Sequence, residues 1–215
     1  MPVAPVIRPA RAEDAPFLAW CILAAGRAHL ERGWYDIALG LDETACSHAL
    51  TRLVSTDTPS WWRYDRWLVA EVDGEPAAGL AAFGAAAFSN SEAAMTEALG
   101  GIGWSADQIG QVWLRGAYVF SCTSPPDDHE AWVIENVACR PAHRGKGLTP
   151  ALIAHALELG RRHGFPDAQI SFVIGNEAAE RAYAKAGFTL IEERRHPDFE
   201  AAVGAPGLKR YGQRL

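Results

Sequence analysis

The stretch from Ala131 to Pro150 constrains this chain more than any other. An apolar run, Ala131-Trp-Val-Ile-Glu-Asn-Val-Ala-Cys139, leads into Arg140-Pro-Ala-His-Arg144-Gly145-Lys146-Gly147-Leu148 and then into Thr149-Pro150. Its apolar residues do not alternate with polar ones, which predicts a strand covered on both faces. Pro141 and the glycines end that strand. Gly145 and Gly147 let the backbone curl so that successive N–H groups point into one concavity. A helix follows, and its unpaired first N–H groups and positive dipole end sit beside the concavity. Thr149 suits the N-cap and Pro150 the first helical position. Arg144 and Lys146 add positive charge to a chain whose formal net charge is -6. Such a strand, turn and helix suit a pyrophosphate, although an ordinary basic surface turn has the same composition. A nucleotide-binding P-loop is a poorer match, because Gly147 follows Lys146 where that motif requires Ser or Thr. A dinucleotide fingerprint fails because Pro150 stands where its third glycine belongs.

The rest of the chain reads as alternating strands and helices. Val3 to Arg8 predicts a strand, and Arg11-Ala-Glu-Asp14 opens a helix extending to about His29. Gly33, Trp34 and Tyr35 break the pattern between Glu31 and Leu41, and a second helix is expected from Asp42 to Val54. Trp67 to Val72 and Pro76 to Phe83 flank Asp73-Gly74, a pair that supplies the positive φ angles of a tight antiparallel hairpin. From about 85 to 128 the pattern is that of an insertion. It has helices near Ser91 to Leu99 and Ser105 to Leu114, a break at Gly100 to Gly103, a further element at Tyr118 to Thr123, and a turn at Pro125-Pro126. Trp104 and Trp113 predict that it packs on the body. A helix from Thr149 to His163 stops at Gly164, with Leu148, Leu152, Ala156 and Leu159 on one face. A strand at Gln169 to Ile174, a short helix at Asn176 to Ala186, and strands at Phe188 to Arg195 and Leu208 to Arg214 close the chain. With 215 residues, 49% of them hydrophobic, one core is affordable. The expectation is a single α/β (α+β) domain over 1–215 with an insertion at 85–128.

At these motifs the sequence resembles the GNAT superfamily of N-acetyltransferases. The acyl-CoA signature of that family is Arg or Gln, two residues, Gly, one residue, then Gly or Ala. Here Arg144-Gly-Lys-Gly147-Leu-Thr149 satisfies all but the last position, where Thr149 is the departure. A second family pattern, Asn176-x-x-Ala179-x-x-x-Tyr183-x-x-x-Gly187-Phe188, matches throughout. The likeness extends to Ile7-Arg-Pro-Ala10 with Glu13-Asp14, to the hairpin and to the last strands, but not to the insertion. It implies a mixed, largely antiparallel twisted sheet flanked by helices, and acetyl-CoA as co-substrate for transfer to a primary amine of a small molecule or peptide.

The resemblance also implies roles for residues. Arg144, Gly145, Lys146, Gly147, Leu148 and Thr149 would hold the pyrophosphate. Val137, Ala138 and Cys139 would offer main-chain groups to the pantetheine as to an added strand, with the Val137 N–H polarising the thioester carbonyl. Tyr183 would protonate the departing thiolate, which a phenol can do at neutral pH; its plainer role is an aromatic covering the sheet. Asn176 is an N-cap by its own chemistry, with a pantetheine contact added by the likeness.

Glu135 interrupts an apolar strand, where a carboxylate is costly unless it faces water, a partner or a cleft. It is the candidate base, and pairing with a nearby Arg is the alternative. The resemblance also implies acceptor contacts after the first helix, at Glu31 to Asp36, and between the last two strands, at His196 to Pro206, with Tyr35, Asp198 and Glu200 as candidates and solvated loop residues as the plainer alternative.

Other classes fit poorly. The acidic balance argues against a nucleic-acid surface. The four cysteines have no Cys-x-x-Cys pair and no signal peptide precedes them, which fits reduced thiols in a cytoplasm. Cys139 has no paired His in the sequence to make it a nucleophile. The seven histidines show no metal-binding spacing, so no metal is expected. No apolar stretch is long enough for a bilayer, so no membrane partner is expected. A homodimer stays open, and a non-catalytic acyl-CoA sensor is the rival reading.

Overall fold

The computed structural model describes residues 5–123 and 131–215. The expected Pro125-Pro126 turn and the first residues of the expected opening strand lie outside them. A seven-stranded sheet runs through the molecule in the order β1-β2-β3-β4-β5-β7-β6. Its strands are β1 (Val6–Pro9), β2 (Trp67–Val72), β3 (Glu75–Gly84), β4 (Trp132–Cys139), β5 (Asp167–Val173), β6 (Thr189–Arg195) and β7 (Gly207–Arg214). Every neighbouring pair is antiparallel except β4 with β5. Between β2 and β3, Asp73 and Gly74 both take positive φ, 54° and 83°, as the tight hairpin requires.

Period-two alternation sorts the strands between two cores. Trp67, Val69, Ala81, Phe83 and Val133 face α1 (Ala15–Arg27), α3 (Glu43–Val54), α4 (Ser91–Gly100) and α5 (Ala106–Gly116). Leu68, Ala70, Leu80, Ala82 and Ile134 face α6 (Leu148–Arg162) and Tyr183 of α7 (Glu177–Lys185). On α6, Leu148, Leu152 and Ala156 recur one turn apart and are all buried, which fixes the face it presents. Gly160 permits the close approach: a Cβ there would meet Trp132 at 2.7 Å, whose indole N–H donates to the Ala156 carbonyl at 2.9 Å.

Three expectations need correction. The segment at Trp34–Leu39 is a helix, α2, where only a break was expected. Gly33 starts it because a Cβ there would sit 2.2 Å from the Gly26 carbonyl, and Asp36 accepts the Gly33 N–H at 2.8 Å. Helix α6 is capped by Gly147 at φ 80°, not by Thr149. The left-handed glycine turns the chain so sharply that Leu148 is already helical. Pro150 therefore falls on the third helical position, where the N–H it lacks would have had no intrahelical partner. Between β6 and β7, Pro197–Val203 forms α8 in place of the expected loop; His196 caps it by accepting the Asp198 N–H at 3.2 Å. The insertion carries the two expected helices, α4 and α5, and ends in a 3-10 turn at Ala117–Ser121.

Candidate active site

The site begins where β4 and β5 part. Their parallel pairing covers Trp132↔Ala168, Val133↔Gln169 and Ile134↔Ile170 and stops there. On its other edge β4 stays paired with β3, but Ala81↔Glu135 is followed by Gly79↔Ala138. Leu80 thus faces both Asn136 and Val137, a β-bulge with Asn136 at φ 54°. Beyond the bulge the Arg140 N–H donates to Ala77 on β3 at 2.8 Å. Strand alternation then aims the N–H groups of Cys139 and Val137 the opposite way, into the gap that β5 has vacated. The Asn136 amide nitrogen is buried there without a hydrogen-bond partner among the described residues.

A cavity of about 2150 Å³ occupies the gap and is lined by residues from both faces of the sheet. On the α6 side it is lined by Arg144, Gly145, Gly147, Leu148 and Thr149. Gly145 and Gly147 have φ of 74° and 80°, and among the described residues no backbone carbonyl accepts the N–H groups from Gly145 to Thr149. They remain available to an anion. Lys146 is exposed and lies outside the cavity wall. The Arg144 guanidinium reaches back to the Cys139 carbonyl at 3.4 Å. Asn176 lines the cavity and caps α7, accepting the Ala179 N–H at 3.2 Å. Burial pushes the Cys139 thiol up, against the pull of Arg144 and Lys146, so it does not have the depressed pKa of an activated thiolate.

Tyr183 and Glu135 reach the cavity from opposite faces. Tyr183 is buried, its ring edge-on to Phe172 at 5.5 Å and to Phe188 at 6.5 Å. Burial first, and then the charge of Glu135, raise its phenol well above the ordinary value. It stays protonated at neutral pH. Glu135 shares its face with Phe83 and Val133 through the register Ala81↔Glu135. Burial pushes its carboxyl up to about 7, with a smaller opposing contribution from the Asn136 N–H. No Arg or Lys pairs with it among the described residues, so the ion-pair alternative finds no partner among them.

Of the expected acceptor residues, the structure brings in Tyr35 alone. Its hydroxyl accepts the Trp62 indole N–H at 2.7 Å, and its phenol is raised by burial and, to a lesser degree, by Glu135. Asp198 and Glu200 are exposed and outside the cavity wall, because α8 turns Phe199 inward instead. Sequence reasoning missed Trp61, Phe88, Trp113 and Tyr118, all on the wall. The signal was there: an adjacent Trp pair, Trp61-Trp62, in a loop, and aromatics spaced through the insertion.

A sheet splayed between two parallel strands, with a turn of unpaired N–H groups at the mouth of the gap, is a frame suited to an acyl-CoA-dependent transferase. The chain matches the family described as Acetyltransferase (GNAT) over residues 39–188 and belongs to it; it is a GNAT-type acetyltransferase that uses acetyl-CoA. A comparison with curated proteins finds no match. Among solved structures, an N-acetyltransferase from Staphylococcus aureus Mu50 superposes with a TM-score of 0.68 at 20% identity, covering 98% of this chain and 100% of that one. An acetyltransferase from Salmonella typhimurium with its cofactor acetyl-CoA gives 0.55 at 17% identity, covering 99% and 95%. The polyamine N-acetyltransferase of Drosophila melanogaster gives 0.58 at 15% identity, covering 99% and 100%. At these identities the likeness is one of fold. No helix among the described residues is long and apolar enough to cross a membrane.

Proposed function

We propose that the protein transfers the acetyl group of acetyl-CoA to a primary amine by direct attack within a ternary complex. The observation that carries this is the passage through the sheet, which places Tyr183 of one face and Glu135 of the other on a single cavity. The pyrophosphate is read as lying on the N–H groups from Gly145 to Thr149, with Arg144 beside it. The pantetheine then follows β4 past Cys139 and Val137 toward the bulge. Glu135, with a carboxyl near 7, is poised to take a proton from an ammonium directly or through water. The neutral amine attacks the thioester carbonyl, and the oxyanion rests on the Val137 N–H. As the tetrahedral intermediate collapses, the C–S bond breaks, the Tyr183 phenol gives its proton to the sulfur, and the proton that the new amide nitrogen sheds passes through water to restore the phenol. Asn176 reaches the same end of the pantetheine.

Tyr183→Phe tests the reading, since it removes one hydroxyl and keeps the ring packed on Phe172. Folding and acetyl-CoA affinity are expected to stay near normal while kcat drops roughly 10²-fold or more. The deficit should shrink for thioesters of more acidic thiols, which leave without protonation. A variant as active as the wild type, or equally impaired for every leaving group, would remove Tyr183 from the mechanism.

A further inference from the structure

Where the cavity passes to the Glu135 face its wall is made of aromatic rings. Trp61 lies 4.4 Å from Trp62 and 5.4 Å from Phe88, centroid to centroid, and Trp34 lies 5.0 Å from Tyr35 and 6.1 Å from Trp113. The polar ends of three of them are turned on the protein, whereas the Trp113 indole N–H and the neighbouring Tyr118 hydroxyl, both on the wall, are buried with no partner among the described residues. The indole N–H groups of Trp34, Trp61 and Trp62 donate to the Gly116 carbonyl, the Ser91 hydroxyl and the Tyr35 hydroxyl at 2.9, 3.0 and 2.7 Å. Ser91 in turn donates to the Phe88 carbonyl at 2.7 Å, and Ser89 to the Ala86 carbonyl at 2.8 Å. These bonds fix the rings of Trp34, Trp61 and Trp62 and leave their faces and edges for a ligand, with the Trp113 N–H and the Tyr118 hydroxyl as the unpaired dipoles of the wall. Among the described residues charge is sparse on this side. Arg210, which also reaches the wall, bonds Glu192 at 2.6 Å. Glu92, exposed at the first turn of α4, lines the wall as well, and Glu135 stands at the gap, close enough to Tyr35 for its charge to be felt there.

We infer that the acceptor is an amine on a short tether to a flat aromatic body: the ring lies among Trp61, Phe88 and Trp113 while the amine reaches Glu135. Flat rings gain most from rigid aromatic neighbours through offset and edge-on contacts. A polyamine needs a carboxylate for each added charge, and among the described residues the wall offers Glu92 besides Glu135, fewer than the ammonium groups of spermidine. The inference rests on the transfer reading for the position of the amine.

Two measurements separate it from that reading. Phenethylamine, n-hexylamine and spermidine are titrated calorimetrically into CoA-loaded protein and then assayed as acceptors with acetyl-CoA. Phenethylamine is expected to bind about tenfold more tightly than n-hexylamine and to show the highest kcat/KM. Phe88→Ala should erase that preference while leaving acetyl-CoA affinity unchanged, and Phe88→Leu, which keeps the bulk and loses the ring, serves if the alanine variant does not fold. Ring-selective binding without turnover of any amine would overturn the transfer reading and leave the aromatic wall standing as a binding site for the same class of ligand. Spermidine as the preferred ligand, equal binding of phenethylamine and n-hexylamine, or a preference untouched in both Phe88 variants would overturn it.

Discussion

Replacing Glu135 by Gln tests the site without needing its substrate. The folded protein holds the Glu135 proton more tightly than an unfolded chain does, with a value of about 7 against an ordinary 4.5. At about 1.4 kcal/mol per pH unit this difference has a ceiling near 3 kcal/mol. Glu135 is only half-buried and its cavity admits water, which brings the expected cost to about 1 to 2 kcal/mol. The sign follows from proton linkage: the stabilising contribution is complete below 4.5 and is lost as the pH climbs from there to about 7. A glutamine of the same shape does not titrate. The variant should therefore match the wild type near pH 5 and exceed it by about 1 to 2 kcal/mol near pH 8, measured by urea denaturation at both values. The other carboxylates titrate alike in both proteins and cancel in the difference. In the same variant kcat should fall roughly 10²-fold, and the rise of the wild-type rate through about pH 7 should flatten. A stability difference that is the same at both pH values would refute the claim that Glu135 is strained by burial.

At the other end of the cavity, Arg144→Ala should weaken acetyl-CoA binding about tenfold by calorimetry, since the guanidinium is exposed and contributes one charge-assisted contact; unchanged affinity would refute the anion-site assignment. Gly147→Val should abolish binding more completely. A Cβ at Gly147 meets no atom within 4 Å, so the cost to the free protein is the φ of 80°, about 1 to 3 kcal/mol. A thermal shift checks this, because acetyl-CoA at a hundred times its Kd should stabilise the wild type by about 2.7 kcal/mol; a variant protected equally would mean that the loop is an ordinary turn.

The site half that follows local rules was legible in the sequence. Gly145, Gly147, the Asn176 cap and Tyr183 depend on spacing along one strand, turn or helix, and all four reach the cavity, while Lys146 does not. The N-cap was misread by two residues because a left-handed glycine and a threonine both start helices, and only the φ of Gly147 decides between them. The Asp73-Gly74 hairpin was clear for the converse reason, since its turn leaves one solution. The acceptor half was not legible. Tyr35 is aimed by α2, which the Gly33 contact with Gly26 creates, and that contact joins the end of one helix to the start of another. Asp198 and Glu200 were chosen as charged residues in a loop. The loop is helix α8, and helical periodicity turns Phe199 inward and leaves both carboxylates in solvent. Trp61 and Phe88 meet across the sequence on either side of Phe83, a long-range packing that no motif records.

The parting of β4 from β5 also has a mechanical meaning. Three register pairs join the two halves of the sheet, and beyond Ile134 and Ile170 nothing in the backbone ties β4 to β5. The sheet is stiff on either side of this seam and compliant along it. A pantetheine lying in the seam would take up amide groups of Val137 and Cys139 and act as a lace between the halves. Loading with CoA should then slow hydrogen exchange at these amides and along the facing edge of β5 far more than in β2 or β7, whose partners are already in place.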